Sequence, residues 1–374
     1  MNKKNKLNLF VIAGEDSGDF HGAHIIQEIK KKEKRIVLTG LGGKYLKKAG
    51  LNSFYPLKNL SVMGFWEVLK SLSFFFKLEK ELLRHIKQNR PDKIILIDYP
   101  GFNMRLAKKI KQITNIPIYY YISPQLWAWK EKRLQTIKNY IDYMIVIFPF
   151  EKIWYQKRGI KVQYFGHPIL DLIKNQDLKK TNLGHKVRIA LCPGSRMQEI
   201  NKHLPVFERL IQYYGIENKN IEFIIYKAPG IQKQTFSQID LHNNVTITSN
   251  TILKSFKSID LAVVASGTAT LECAMSLTPF ITIYKMSYFS WIITKKLVKS
   301  PFASMVNILA KKLIVTELLQ ANYNIKNLIK NIDLLLDPLV QNHMVRAFKN
   351  IRSQLGSGLA YEQTAEFILN EKNN

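Results

Sequence analysis

Short runs of consecutive apolar residues alternate with longer amphipathic stretches along most of this chain of 374 residues. In the first half, the runs predicted as strands are Leu7–Ala13, Ile36–Thr39, Lys93–Ile97, Ile118–Ile122 and Tyr143–Ile147. The stretches predicted as helices between them are Phe20–Lys32, Met63–Asn89, Asn103–Ile113 and Glu151–Arg158. Strands that are apolar on both faces and separated by helices indicate a parallel sheet covered on both sides.

The same pattern starts again after Gly166-His167-Pro168 and a polar connector, Lys174–Lys186. The strands predicted in this second series are Val187–Cys192, Glu222–Tyr226, Val245–Thr248, Leu261–Ala265 and Phe280–Tyr284. We therefore predict an α/β fold of two Rossmann-like, doubly wound domains, residues 1–168 and 169–343, that face a central cleft. A last helix is predicted over Met344–Asn370, and we expect this C-terminal segment, about 344–374, to pack back on the first domain.

Composition places the chain among globular proteins. The apolar fraction is 46%, which is enough for a substantial core. The two cysteines, Cys192 and Cys273, do not suggest a disulfide framework, which favours a reducing, cytoplasmic setting. No signal-peptide core and no run of about 18 apolar residues is present, so we expect neither secretion nor a membrane span.

The formal net charge of +28 has three possible explanations: nucleic-acid binding, attraction to an anionic membrane surface or substrate, and compositional bias. The lysines are spread along the whole chain, and no arginine-rich or basic-aromatic tract stands out. This distribution favours bias together with a membrane-surface role, and we expect no nucleic-acid partner.

An acidic, glycine-containing turn follows the first predicted strand, at Gly14-Glu15-Asp16-Ser17-Gly18-Asp19. A strand that leads through glycines into a helix exposes backbone N–H groups to a ligand. A turn that only holds phosphate would not be so acidic, so the acids suit sugar hydroxyls or proton transfer. Helix capping accounts for one or two of them, but not for the whole cluster.

Two further predicted strands of the first half end in candidate site residues. Asp98 follows the strand Lys93–Ile97, where a carboxylate can act as a general base or simply cap a turn before Pro100. The segment after the next strand carries Ser123, Trp127 and Trp129. Aromatic faces suit a sugar ring or an acyl chain, although two tryptophans can equally belong to the core.

Two turns of the second half are suited to anions. Each follows a predicted strand and combines glycine with serine, threonine or arginine, as phosphate-binding turns do. A capped helix with an exposed arginine, and an ordinary helix-surface acid, are the structural alternatives. Together the turns indicate a nucleotide diphosphate, and no Gly-Lys-Ser/Thr ending supports an ATPase. The residues concerned are Gly194, Ser195, Arg196, Glu199, Ser266, Gly267, Thr268 and, as a possible ribose ligand, Glu272.

The segment Gly64–Leu83 is predicted to be an amphipathic helix with an unusually aromatic apolar side and several lysines elsewhere around the turn. Such a helix either lies on an anionic bilayer or packs on the protein core. The aromatic content favours the bilayer. The apolar residues expected on the lipid side are Phe65, Trp66, Leu69, Leu72, Phe75 and Phe76.

Taken in chain order, these motifs resemble those of the lipid-A-disaccharide synthase family, from about residue 8 to residue 320. The matching blocks are Gly-Glu-x-Ser-Gly-Asp at 14–19, Met-Gly…Glu-Val-Leu at 63–69, Ile-Asp…Pro…Phe-Asn at 97–103, Ser-Pro…Trp-Ala-Trp at 123–129, Gly-His at 166–167, Pro-Gly-Ser-Arg at 193–196 and Ser-Gly-Thr-Ala…Leu-Glu at 266–272. Any one block alone would be weak evidence, but an ordered series of this kind is specific.

The resemblance implies an inverting glycosyltransferase of the GT-B architecture. It implies transfer of diacylated glucosamine from UDP to the 6-hydroxyl of a diacylglucosamine 1-phosphate, without metal or other cofactor, on the cytoplasmic face of the inner membrane. It also assigns roles: Asp98 as the base, with Glu15 as the other choice or a positioning acid, and Ser17, Gly18 and Asp19 on the acceptor side. Asn307, Glu317 and Gln320 would lie near the donor.

Other functions remain as alternatives. One is another UDP-sugar enzyme of similar architecture, such as a UDP-N-acetylglucosamine 2-epimerase or the peptidoglycan glucosaminyltransferase. The aromatic-basic helix and the Glu15/Asp98 pair argue against a soluble epimerase. The other is a basic lipid-surface or nucleic-acid binding module without catalysis, which would not depend on Asp98. The sequence does not define the oligomeric state.

Overall fold

The computed structural model describes residues 6–55, 72–129, 131–174, 186–216, 220–287, 291 and 300–371. The chain forms two compact units, one of Met1–Asp171 together with Gly356–Asn374 and one of Leu172–Leu355. Each unit is built on one sheet, and every strand pair in both sheets is parallel.

The N-terminal unit has a seven-stranded sheet with the order β3-β2-β1-β4-β5-β6-β7. Its strands are β1 (Leu7–Ala13), β2 (Ile36–Leu41), β3 (Asn52–Ser53), β4 (Lys93–Ile97), β5 (Ile118–Tyr121), β6 (Tyr143–Val146) and β7 (Val162–Tyr164). The helices up to the junction between the units are α1 (Asp16–Lys32), α2 (Lys44–Lys48), α3 (Leu72–Asn89), α4 (Pro100–Ile113), α5 (Leu134–Tyr140), α6 (Pro149–Gln156) and α7 (Ile169–Ile173), and a 3-10 helix (Glu131–Arg133) precedes α5.

The C-terminal unit has a six-stranded sheet with the order β10-β9-β8-β11-β12-β13. Its strands are β8 (Val187–Cys192), β9 (Ile221–Tyr226), β10 (Val245–Thr248), β11 (Leu261–Ala265), β12 (Phe280–Tyr284) and β13 (Glu317–Leu319). Its helices are α8 (Met197–Ile216), α9 (Ile252–Ser255), α10 (Thr268–Met275), α11 (Met305–Ala310), α12 (Ile325–Leu335) and α13 (Pro338–Gln354). Short 3-10 helices lie at Lys233–Phe236, Ile239–Leu241, Phe256–Ser258 and Gln320–Asn322.

The predicted fold class, with two doubly wound parallel sheets, is confirmed. The long apolar strands agree with their predicted bounds to within two residues, and the central strands β4 and β11 are buried at every position. The strands β3, β7 and β13 were not predicted, since two or three residues at a sheet edge leave no apolar run. The predicted helix Met63–Asn89 is observed from Leu72 onward, and residues 63–71 lie outside the described part.

The single helix predicted over Met344–Asn370 is wrong. The structure has two helices there, α13 and a final helix α14 (Ala360–Asn370). The chain breaks between them because Gly356 and Gly358 adopt φ values of 110° and 77°, which a right-handed helix does not allow. Only the final helix belongs to the N-terminal unit.

Polar contacts hold α14 on the N-terminal unit. The Asp171 carboxylate accepts hydrogen bonds from the backbone N–H groups of Ala360 (3.1 Å) and Tyr361 (3.2 Å), at the start of the helix. At its other end, the Lys93 ammonium donates to the carbonyls of Ile368, Leu369 (3.3 Å) and Glu371 (2.9 Å). A carboxylate at the start and a cation at the end both complement the helix dipole.

Strand order reverses at the centre of each sheet, between β1 and β4 and between β8 and β11. At the amino ends of these pairs, an aspartate that precedes one strand binds the start of its neighbour. Asp92 accepts a hydrogen bond from the Asn8 backbone N–H (2.7 Å), and Asp260 accepts one from that of Arg188 (2.8 Å). The same contact recurs between Asp142 and the Ile118 N–H (2.7 Å), at the start of β5.

We predict that Asp260→Ala lowers the free energy of unfolding by about 1 kcal/mol, because the Arg188 N–H loses a charged acceptor. The measurement is urea unfolding followed by circular dichroism. Asp240→Ala is the control, since Asp240 forms a surface ion pair with Lys233 and its loss should cost less than about 0.5 kcal/mol. Equal losses in the two variants would show that the contact does not secure the strand pair.

Candidate active site

Glu15 and Asp98 follow the two central strands of the N-terminal sheet. Ala13 and Ile97 are partners in the register of β1 and β4, so the two acids leave adjacent strand ends. In open parallel sheets, ligands bind at the carboxyl ends of the strands where the order reverses. Glu15 is the N-cap residue of α1, yet it makes no side-chain capping hydrogen bond with the described residues. Capping therefore does not account for this exposed carboxylate.

The turn at Asp98 has a strained backbone that its neighbours hold in place. Asp98 and Tyr99 both adopt left-handed conformations, with φ values of 46° and 49°. The carbonyl of Asp98 accepts hydrogen bonds from the Asn103 amide (2.8 Å) and the Tyr120 hydroxyl (2.6 Å). Residues held in such conformations cost about 1–3 kcal/mol each and occur disproportionately at functional sites.

Gly14 is required by this same turn. A Cβ atom at Gly14 would lie 2.2 Å from the Tyr99 ring, so any larger residue would displace that ring. The first glycine of the acidic turn thus lets the loop after β4 pack beside β1. This contact explains why a glycine precedes Glu15.

The pKa of Asp98 is raised to about 6. Burial is the main cause, the negative charge of Glu15 adds to it, and a hydrogen bond from the Tyr99 backbone opposes it. A partly buried carboxylate with a pKa near neutrality can accept a proton and is still ionised at pH 7. These properties distinguish Asp98 from a simple turn acid.

The remaining residues of the acidic turn differ in their surroundings. Ser17 is exposed and Gly18 is buried against Ile97. The Asp19 side chain is only 1% exposed, and its carboxylate accepts hydrogen bonds from the N–H groups of Gly43 (2.7 Å), Tyr45 (2.9 Å) and Leu46 (3.1 Å). The structure thus gives Asp19 a structural role at the start of α2, in place of the acceptor contact expected from the sequence.

The segment after β5 is anchored to a residue that sequence analysis missed. Ser123 and Trp127 both donate hydrogen bonds to the carboxylate of Glu151, over 3.0 and 3.2 Å. The indole edge of Trp127 is therefore turned toward the protein, while Trp129 is exposed. In the sequence, Glu151 was only the first residue of the predicted helix Glu151–Arg158, where an acid indicates no more than a favourable charge at a helix start.

Only part of the proposed lipid-side helix lies in the described structure. Phe65, Trp66 and Leu69 lie outside it, as does the side chain of Leu72. Phe75 is 8% exposed and packs in the core near Phe102, so the structure does not place it on a lipid-facing side. Phe76 is 54% exposed. The sequence pattern could not separate the two neighbours, because the packing of α4 decides which of them is covered.

The first anion turn of the C-terminal unit is pre-arranged by Glu199. Gly194 has a φ of 107°, and a Cβ there would lie 2.5 Å from the Glu199 carboxylate. That carboxylate accepts a hydrogen bond from the Ser195 N–H (3.3 Å) and pairs with the Arg196 guanidinium (3.0 Å). The Arg196 side chain is nonetheless 77% exposed, which leaves its other donors available to a ligand.

The second anion turn lies at the adjacent strand end. Gly267 and Thr268 are exposed at the N-terminus of α10, whereas the Ser266 hydroxyl donates to the Ala303 carbonyl (2.9 Å). Burial raises the pKa of Glu272 to about 7. In the part of the chain that the structure describes, no cation pairs with this carboxylate, so it is suited to bind ligand hydroxyls.

The other predicted donor residues fall into two groups. Asn307 is fully buried, and its amide bonds the Val315 carbonyl (2.9 Å) and Glu317 (2.7 Å). Glu317 in turn accepts hydrogen bonds from the N–H groups of Ala303 and Ser304, both at 2.9 Å, so this pair holds the loop that receives Ser266. Gln320 differs, because its buried amide nitrogen has no protein partner among the described residues.

The described residues show neither a cluster of metal ligands nor a helix that could span a membrane. They contain no group of three or more histidine, cysteine, aspartate or glutamate side chains able to hold a metal ion. None of their helices combines the length and apolarity needed to cross a membrane.

The fold defines a class of proteins. The structure of the UDP-N-acetylglucosamine 2-epimerase of Methanocaldococcus jannaschii, in complex with UDP-GlcNAc and UDP, is similar with a TM-score of 0.65. It covers 97% of this chain and all of that chain at 15% sequence identity, so it shows the fold alone. The two parallel-sheet α/β domains are thus those of the GT-B class, which includes nucleotide-sugar epimerases and glycosyltransferases.

Sequence comparison gives the family. The model of the lipid-A-disaccharide synthetase family matches residues 9–365. Lipid-A-disaccharide synthase 1 of Legionella pneumophila (strain Philadelphia 1) is 35% identical over 365 residues, 95% of each chain. The synthase of Coxiella burnetii (strain CbuG_Q212) is 34% identical over 370 residues, 97% of this chain and 98% of the relative. The chain belongs to the lipid-A-disaccharide synthetase family.

We predict that Asp19→Ala lowers the free energy of unfolding by about 3 kcal/mol, because three backbone N–H groups lose a charged acceptor in a buried place. Thermal or urea unfolding measures this loss. Asp16→Ala removes an exposed acid from the same turn and should change stability by less than about 0.5 kcal/mol. If the Asp19→Ala protein kept its stability but no longer turned over the acceptor sugar, Asp19 would have the acceptor-side role that the sequence predicted.

Proposed function

We propose that this chain joins UDP-2,3-diacylglucosamine to 2,3-diacylglucosamine 1-phosphate, giving the β-1,6-linked lipid A disaccharide 1-phosphate and UDP. Membership of the family makes the chain a glycosyltransferase that forms the lipid A disaccharide. The observation that supports the chemistry best is the strained, partly buried Asp98, which lies beside Glu15 at the centre of the N-terminal sheet.

In the proposed reaction, Asp98 acts as the general base. Its carboxylate takes the proton of the acceptor 6-hydroxyl while that oxygen attacks the anomeric carbon of the donor sugar. The bond between the anomeric carbon and the phosphate oxygen breaks, and its electrons leave with UDP. One displacement inverts the anomeric configuration, which turns an α-linked donor into a β-linked product.

The C-terminal unit supports the donor side of the proposal. The Arg196 guanidinium and the N–H groups of the two anion turns can neutralise the charge that develops on the leaving diphosphate. Glu272 is placed one turn into α10, where its unpaired carboxylate suits the ribose hydroxyls. Gln320 stays a predicted donor-side residue, and its buried amide nitrogen has no protein partner among the described residues. This chemistry needs no metal ion.

A 2-epimerase is the less favoured alternative. The epimerase structure shares the fold at 15% identity, whereas curated synthases share about a third of their residues with nearly the whole chain. An epimerase acts on one nucleotide sugar and has no use for an acceptor hydroxyl. The decisive test is to supply both lipid substrates without metal and to search for the disaccharide by mass spectrometry.

We also propose that α3 lies on the anionic cytoplasmic surface of the inner membrane. In its described part, the exposed Phe76 ring lies near the Arg105 guanidinium (5.4 Å), and Lys77, Lys80 and Arg84 are exposed nearby. An apolar ring surrounded by cations suits a bilayer with acidic headgroups. Such a position would bring lipid acceptors to the unit that carries Asp98.

We predict that Asp98→Asn lowers kcat by at least about 100-fold, because the amide cannot accept the proton. UDP affinity, measured by calorimetry, should stay within about twofold of the wild-type value. Asp98 lies in the N-terminal unit, whereas the anion turns lie in the C-terminal unit. Because ionised Asp98 is the active form and its pKa is about 6, the wild-type rate should be half-maximal near pH 6 and level off above about pH 7. Unchanged turnover in the variant would exclude Asp98 as the base.

Glu15→Gln separates the two candidate bases. The charge of Glu15 helps to raise the pKa of Asp98, so its removal should shift the acidic limb of the rate profile to lower pH. If Glu15 were the base, this variant would instead lose turnover at every pH. Retained turnover with a shifted acidic limb would therefore exclude Glu15 as the base.

Phe76→Ser and Phe75→Ser form a matched pair for the membrane proposal. Phe76→Ser should weaken binding to vesicles that contain anionic phospholipids and change stability by less than about 0.5 kcal/mol, because Phe76 is exposed. Phe75→Ser should lower the free energy of unfolding by about 3 kcal/mol or more, since it empties a core position. Vesicle flotation and thermal melting measure the two effects. Unaltered flotation of Phe76→Ser would contradict contact of this ring with lipid.

A further inference from the structure

The loop after β5, residues 123–129, lies next to the turn that carries Asp98. The Asp98 N–H donates to the carbonyl of Tyr121 (2.9 Å), the last residue of β5. The next residue, Ile122, has a φ of 66°. A β-branched residue in the left-handed region is a true outlier and persists only where its surroundings hold it. The loop therefore has a fixed conformation that other contacts must maintain.

Glu151, in the first turn of α6, supplies those contacts. One of its carboxylate oxygens accepts hydrogen bonds from the Ser123 hydroxyl (3.0 Å) and the Trp127 indole N–H (3.2 Å). The other oxygen accepts one from the Phe148 backbone N–H (3.2 Å). A helix cap requires only the contact with Phe148. The two bonds to the loop are thus additional to capping, and they reach residues far away in the sequence.

Each of these three neighbours donates a hydrogen bond, so the group between them must accept. An ionised carboxylate offers two accepting oxygens, whereas an amide would turn its NH₂ toward one of the donors. Glu151 is only 1% exposed, and no cation pairs with it in the described residues. Burial raises its pKa to about 7, and the Tyr155 and Tyr164 phenols are the other titratable groups beside it.

An ionised Glu151 is expensive for the fold. Its pKa in the folded protein lies above the ordinary value of 4.5, so the free energy of unfolding falls as pH rises from about 4.5 to 7. Above about pH 7 the free energy of unfolding stays at this lower value. A residue chosen only for capping would not need to be buried without a cation. The burial of Glu151 is explained better by its hydrogen bonds to the loop 123–129.

The loop that Glu151 holds carries part of an aromatic surface. The Trp127 ring meets the edge of Phe150 (centroids 5.0 Å apart, 89° between planes), and Phe150 stacks on Phe148 (5.6 Å, 18°). Trp127 is partly exposed, so part of this residue is accessible from outside the protein. Aromatic faces next to a base suit the apolar face of a sugar ring.

We propose that Glu151 is a positioning residue, which fixes the loop 123–129 so that Trp127 contacts the sugar ring of the diacylglucosamine 1-phosphate acceptor. This inference rests on the proposed function. It adds Glu151 to the determinants of acceptor binding, although Glu151 itself does not touch the substrate.

The test is the steady-state kinetics of Glu151→Gln with both lipid substrates in mixed micelles. We expect the KM for the acceptor to rise about tenfold, equivalent to the loss of one well-placed contact, while the KM for the donor and UDP affinity stay unchanged. The acceptor KM is the deciding measurement, because the melting temperature at pH 8 combines the removal of a buried charge with the loss of an accepting oxygen. A purely structural residue would lower the melting temperature and leave the KM alone.

Trp127→Phe tests the coupling, since it removes the indole N–H and keeps an aromatic ring. It should raise the acceptor KM by itself, and the double variant with Glu151→Gln should be no worse than the worse single variant. If Glu151→Gln does not fold, the KM of Trp127→Phe alone decides the matter. Additive effects, or an unchanged acceptor KM in both single variants, would overturn the inference.

Asp142→Asn is the matched control. Asp142 also accepts a hydrogen bond from a backbone N–H in this sheet, but at the amino end of β5, opposite to the end that leads into the loop. The same carboxylate-to-amide change there should lower stability slightly and leave both KM values intact. If the wild-type protein forms no disaccharide, the proposed function itself fails and this inference falls with it. If product forms but the acceptor KM of Glu151→Gln equals the control, only the inference fails.

Discussion

From the two central strands of each sheet the chain crosses over toward opposite edges, so the helices and loops diverge at the carboxyl ends and leave them uncovered. In the N-terminal unit this opening contains Glu15 and Asp98, and in the C-terminal unit it contains the two anion turns. Topology alone brings together residues that are far apart in the chain. The reversal of strand order at the centre of the sheet thus positions the acids in one unit and the anion turns in the other.

The residues around these openings divide into those that carry free groups and those that support them. Asp19, Asn307 and Glu317 form side-chain hydrogen bonds with backbone N–H and C=O groups of nearby loops. Glu15 and Glu272 have carboxylates without such bonds among the described residues. Motif similarity selects both kinds equally, since a loop held in the wrong place would disable the site as surely as a lost base.

Sequence patterns predicted the long strands closely, because a wholly buried strand such as Leu261–Ala265 must be apolar at every position. They could not predict contacts that depend on distant segments. Whether Phe75 or Phe76 is covered depends on α4, and the bonds of Glu151 to the loop after β5 leave no local pattern. The break at Gly356 was missed for a related reason: a glycine between two amphipathic stretches is tolerated in many helices, and only its backbone angle here ends one.

Because α14 completes the N-terminal unit, this unit combines a segment that precedes the C-terminal unit in the chain with one that follows it. The Lys93 ammonium and the Asp171 carboxylate therefore cannot bind α14 until the whole C-terminal unit has been synthesised. The C-terminal unit, by contrast, is contiguous in sequence and can fold while synthesis continues.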